Sequence, residues 1–181
     1  MNKLAIALSA ALSLGAVSSA SAQDATLLFE GNITASSCDV SFTGDASSST
    51  VTMRTVSKAG LKTDNPGHRT FNVVVGDGTA TGCSGNTAEL ILDQTNVSAT
   101  SGNLTNTHTG TGADAPAQGV EVRILDKDGN QVNLATATID ATKGSDNNFT
   151  YQFQAIYHVA DHDDVVEGKF ASALPFIVSH Y

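Results

Sequence analysis

The densest run of chemically capable side chains is YHVADHDDVVE, residues 157–167, where His158 and His162 sit among Asp161, Asp163, Asp164 and Glu167. Carboxylates hold hard cations, and imidazole suits zinc or copper. The spacing matches no metal-binding pattern, and a turn between two strands need not bring the two histidines to face one another. The run reads as a solvated acidic turn, so no metal site is expected. Serine, histidine and aspartate are all present, but the G-x-S-x-G elbow that exposes a nucleophilic serine between strand and helix is missing. Thr81-Gly82-Cys83-Ser84-Gly85 is glycine-rich yet lacks the lysine of a phosphate-cradling loop. The sequence therefore reads as non-enzymatic, with no catalytic residues and no cofactor.

Two further side chains carry chemistry of another kind. Cys38 and Cys83 are the two cysteines of the chain. Their redox state depends on the compartment, and the N-terminus speaks to that. Residues 1–22 open with Lys3, continue through an apolar run from Leu4 to Val17, and close on Ala20-Ser21-Ala22, a small-residue cleavage pattern. The run is shorter than the ~20 apolar residues a membrane span needs. Residues 1–22 are expected to be a signal peptide, and the remainder an exported protein. In an oxidising compartment, two cysteines are most simply a disulfide.

The balance of charge excludes one class of partner. The chain carries 9 basic and 18 acidic side chains. Removing Lys3 with the signal peptide makes the balance more negative still. Nucleic-acid binding wants basic patches, and none is expected here.

The elements that would hold these residues are strands. Helical periodicity is almost absent, and short apolar runs separated by Gly, Asn, Asp and Pro point to many short strands joined by turns. Strands are expected over residues 26–34, 38–42, 47–53, 70–75, 88–92, 119–125, 131–134, 147–159 and 169–181. Asn65-Pro66-Gly67 and Asp128-Gly129-Asn130 serve as turns, and residues 98–118 as irregular chain. His68, just past the first of these turns, is expected to cap the loop. The spacing is that of a β-sandwich; no segment offers the crossover helices a parallel sheet requires.

The two outermost strands raise the functional question. In TLLFEGNIT, Leu27, Phe29, Gly31 and Ile33 share one face, while Leu28 interrupts the polar face. The final strand is also apolar on one face, and this sequence offers no further strand to lie beside it. The first strand can pair inside its own sandwich, or it can act as an arm inserted into another molecule.

The order and spacing of several pieces bear on that choice. The arm DATLLFEGNITASSC places Gly31 seven residues before Cys38. Cys83 follows soon after the strand FNVVV. GVEVRILDKDGNQV joins a glycine, an alternating strand and an acidic-glycine turn. Gly168 lies fourteenth from the end, ahead of Phe170, Leu174, Phe176 and Val178. In these features the chain resembles the pilin subunits of chaperone–usher (type 1-like) fimbriae.

That resemblance implies an all-β fold, an incomplete immunoglobulin-like (pilin) sandwich lacking its final strand and completed by a donated strand. It implies residues 23–37 as an N-terminal donor-strand arm and 38–181 as the pilin domain. Leu27, Phe29, Gly31 and Ile33 would be the donor residues. Gly168, Phe170, Leu174, Phe176, Val178, His180 and Tyr181 would form the acceptor strand that a chaperone also binds. The implied partners are a periplasmic pilus chaperone, an outer-membrane usher and neighbouring pilin subunits, and the implied location is a fimbrium on the bacterial surface. One departure stands out. The family usually places tyrosine second from the end, where this chain has His180, so either His180 or Tyr181 is the terminal aromatic filler. A reading from another class is a secreted single-domain sandwich that binds a glycan or protein through its loops.

Overall fold

The computed structural model describes residues 38–81 and 83–181; the expected signal peptide, the arm and its donor residues Leu27, Phe29, Gly31 and Ile33 lie outside the described residues. The strands are β1 (Val40–Gly44), β2 (Ala46–Ser47), β3 (Thr50–Val51), β4 (Arg69–Val75), β5 (Thr87–Leu92), β6 (Glu121–Asp126), β7 (Ile139–Thr142), β8 (Phe149–His158) and β9 (Phe176–His180). Two single turns of 3₁₀ helix, Gly60–Lys62 and Gly112–Asp114, interrupt the connections.

The strands form two open antiparallel sheets. One has the order β1-β4-β8-β6 and the other β7-β5-β9; β2 and β3 pair as a small hairpin. This is the incomplete sandwich that the alternation and the resemblance together imply. Side-chain alternation decides which face each strand buries. On β8, Phe149, Tyr151, Phe153 and Ala155 are buried while Thr150 and Gln152 are exposed. Their partners on β4 repeat the pattern: Val75 faces Phe149, Val73 faces Tyr151, and Phe71 faces Phe153 with ring centroids 5.5 Å apart. Ala88 and Leu90 of β5 close the core from the other sheet. The Tyr151 hydroxyl crosses between the sheets and donates to the Ala88 carbonyl at 2.7 Å.

The structure departs from the sequence reading in four places. The strand expected over 47–53 is instead a tight hairpin, in which β2 and β3 pair across a turn at Ser48-Ser49 and residues 52–53 lie outside any strand. Residues 131–134, expected as a strand, make one bridge to β6 through Gln131 and then turn away, while residues 139–142, not expected as a strand, form β7 beside β5. Residues 98–118 are irregular chain as expected, and they also reach the core. Asn103 is fully buried, its amide donating to Glu121 at 2.8 Å, and Leu104 joins the core. His68 makes a side-chain bond to Gln154 across the β4–β8 pair rather than capping its loop. The single strand expected over 169–181 is divided. Residues 166–169 bridge to 116–118, Pro175 follows, and only Phe176–His180 joins the sheet.

Candidate functional site

β9 lies at the edge of its sheet. Among the described residues its ladder partner is β5 alone, from Leu92↔Phe176 to Ala88↔His180. β1 is likewise the edge of the other sheet. An edge strand presents a row of backbone N–H and C=O groups that a further strand can use. Along residues 170–176, which lead into β9 and reach it at Phe176, runs a groove of about 750 Å³ whose floor is the core itself: Leu90, Val122, Ile124 and Phe153 line it. Val51 and Met53 also line it, as do Phe170, Leu174 and Phe176. Phe42 of β1 and Phe176 meet edge-on across it, with centroids 6.4 Å apart. Tyr157 and Phe170 make a second edge-on contact at 6.0 Å.

The expected acceptor residues divide among three places. Phe170, Leu174, Phe176 and Val178 are half-buried and pack against the core, with Ser172 on the same face. Among the described residues the buried Ser172 hydroxyl has no hydrogen-bond partner. Gly168 lies apart, where residues 115–117 run against it. A Cβ there would sit 2.5 Å from the Ala115 oxygen, the Ala117 nitrogen and the Pro116 carbonyl carbon. Glycine is needed for that close backbone approach. His180 and Tyr181 mark the far end. The His180 ring is half-buried, with Nδ1 3.1 Å from the Ser84 hydroxyl, whereas the Tyr181 side chain is exposed and its backbone pairs with Thr87. Cys38 and Cys83 are bonded to each other, tying the chain just before β1 to the turn that leads into β5.

The acidic turn offers nothing comparable. His158 accepts from Arg123 through Nε2 at 2.9 Å, and burial together with the Arg123 charge holds its pKa below the ordinary imidazole value. The Asp161 carboxylate is turned back onto the backbone N–H of Asp163. Among the described residues, the group of metal-capable side chains close enough to share an ion is Cys38, Cys83 and His180, and its two sulfurs are already joined. The groove residues Phe42, Val51 and Met53 were not singled out by the sequence reading. Their signal was the short strands expected over 38–42 and 47–53, which alone do not reveal which edge they line.

A family model described as fimbrial protein matches residues 27–180. The chain belongs to the fimbrial protein family. Fimbrial proteins of the chaperone–usher kind are structural rather than catalytic: exported through the periplasm, they polymerise by exchange of donated strands into a fimbrium on the cell surface. No curated protein matches this fimbrial protein at a significant level. Solved structures resemble its fold. The rod subunit PapA of the P pilus superposes with a TM-score of 0.53 at 15% identity, covering 87% of this chain and 99% of that one. A chaperone–usher pilus structure concerned with rod uncoiling gives 0.52 at 18% identity, covering 87% and 95%. The CupB6 tip adhesin of Pseudomonas aeruginosa gives 0.52 at 14% identity over 68% of this chain, and the match spans 33% of the adhesin.

Proposed function

We propose that residues 23–37 of one copy form an arm that lies along the edge of β9 in the next copy, with Leu27, Phe29, Gly31 and Ile33 directed into the groove. The acceptor surface is the strip from Phe170 through Leu174, Phe176 and Val178 to His180 and Tyr181, with Gly168 shaping the turn before it. The observation that carries this reading is the groove itself: a core floor, two aromatic contacts across it, and an edge strand with one ladder partner among the described residues. Main-chain bonds give a donated strand its affinity, and pockets for alternate side chains set its register. Full burial of Leu27, Phe29 and Ile33 contributes roughly 5–9 kcal/mol before ordering costs, at ~1.5–3 kcal/mol each.

Before assembly the same groove requires a temporary occupant, and a periplasmic chaperone lending a strand fits it. An outer-membrane usher is the place where the arm replaces that strand. Residues 1–22 serve as the signal peptide for export. Head-to-tail donation is a heterologous contact, and repetition of such a contact yields an open fibre. Deleting residues 24–34 tests the reading in cells that carry the assembly machinery. The truncated chain should still co-purify with the chaperone but fail to be donated to a neighbour. Its incorporation into continuous fibres would defeat the donor assignment.

A further inference from the structure

Three of the five large apolar side chains that stand exposed among the described residues share one surface. Ile91 is 44% exposed, Ile177 66% and Tyr181 67%. Ile91 and Ile177 are direct partners in the β5–β9 ladder, and Tyr181 pairs with Thr87 in the same ladder. Core-facing Leu90 and Val178 alternate with them, so all three project from the outer face of the β7-β5-β9 sheet. The isoleucine pair adjoins the edge of β9 that no other described strand pairs with.

The arm carries an unexplained residue of matching chemistry. Pointing Leu27, Phe29 and Ile33 into the groove turns Thr26, Leu28, Glu30 and Asn32 outward, and Leu28 is the apolar one among them. Resting on the strand-donation reading above, we propose that Leu28 of the neighbouring copy's arm packs directly opposite Ile177. This extends the Ile91–Ile177 pair into an apolar row across β5, β9 and the arm.

The contact fixes the register. With the arm antiparallel to β9, as in every named ladder of this fold, Leu28 opposite Ile177 sets Leu27 against Val178, Phe29 against Phe176, Gly31 against Leu174 and Ile33 against Ser172. Phe29 then arrives where Phe42 and Phe176 already meet, a place for a third ring. Glu30 falls beside Pro175, which is exposed. A shift of two residues that sets Leu28 against Ser179 would put the Glu30 carboxylate beside Ile177. The opposite shift would leave Ile177 facing Thr26. Directly opposed side chains on neighbouring strands interact most strongly, so the apolar match favours the first register.

Fibres of the full chain carrying Leu28→Cys with Ile177→Cys test this directly. After heating in denaturant without reductant they should run as a covalent ladder that collapses on reduction, while Leu28→Cys with Ser179→Cys gives little ladder. A ladder from the 28/179 pair and none from the 28/177 pair overturns the register while leaving strand donation intact. A bond closed within single chains, with no ladder from either pair, overturns both. Dissociation kinetics provide a second reading. Leu28→Asn and Ile177→Asn should each speed fibre dissociation about threefold, and the double variant no more than either alone. Wild-type dissociation in both single variants overturns the contact.

Discussion

Phe42 of β1 and Phe176 of β9 meet edge-on at 6.4 Å, joining strands that lie at the edges of the two sheets among the described residues, across a groove that opens onto the core. Substituting either ring alters the groove without disturbing the ladders behind it. Phe176→Ala should lower the stability of the strand-filled protein by about 2–3 kcal/mol, below the usual cost of a fully buried ring because Phe176 is only half-buried. Denaturant unfolding of fibres against wild type checks this.

Tyr151 ties the sheets together. Its hydroxyl is buried, and burial is the main cause of its raised pKa. Tyr151→Phe leaves the Ala88 carbonyl without that donor and should cost about 1–3 kcal/mol. Chemical denaturation will show the loss, and fibre morphology should not change.

Reduction of the Cys38–Cys83 bond releases a loop whose ends are 45 residues apart in sequence. On the chain-entropy account this removes roughly 4 kcal/mol. A Cys38→Ser, Cys83→Ser double variant should melt well below wild type and reach the surface in smaller amounts, as thermal melting and surface immunoblotting would measure.

Gly168→Val places a side chain onto the backbone of residues 115–117. The expected cost is about 1–3 kcal/mol or more, as for overpacking elsewhere. The damage should centre on the bridge between Pro116 and Lys169, so hydrogen exchange at Ala117 and Lys169 should rise before exchange in β8.

His158 makes stability depend on pH. Its folded pKa is depressed by burial and by Arg123, so the unfolded chain binds the proton more readily. The contribution is complete above the unfolded value near 6.5 and is lost as pH falls through the folded value. His158→Gln should flatten the stability–pH slope in the range below about 6.5, measured by denaturant midpoints at successive pH values.

Strands with single-sided alternation were legible in the sequence because burial on one face imposes a period of two. NNFTYQFQAIYHV gave β8, and HRTFNVVV gave β4, nearly to the residue. β7 was not legible: Ile139–Thr142 holds few apolar side chains, and its pairing with β5 is set by tertiary context. Asn103 was hidden for a different reason. Polar composition signals exposure, but its amide is satisfied internally by Glu121 and Gln131. The alternation of Phe176 and Val178 announced β9 as a strand apolar on one face. Val51 and Met53, which also line the groove, came from a segment whose sequence says nothing about its neighbour.

Thermal melting of the purified full chain, with and without a synthetic peptide of residues 24–34, bears most directly on the central claim. The peptide should raise the melting temperature strongly, and a peptide with Leu27, Phe29 and Ile33 replaced by asparagine should not. An unchanged melting temperature with the native peptide would contradict the account.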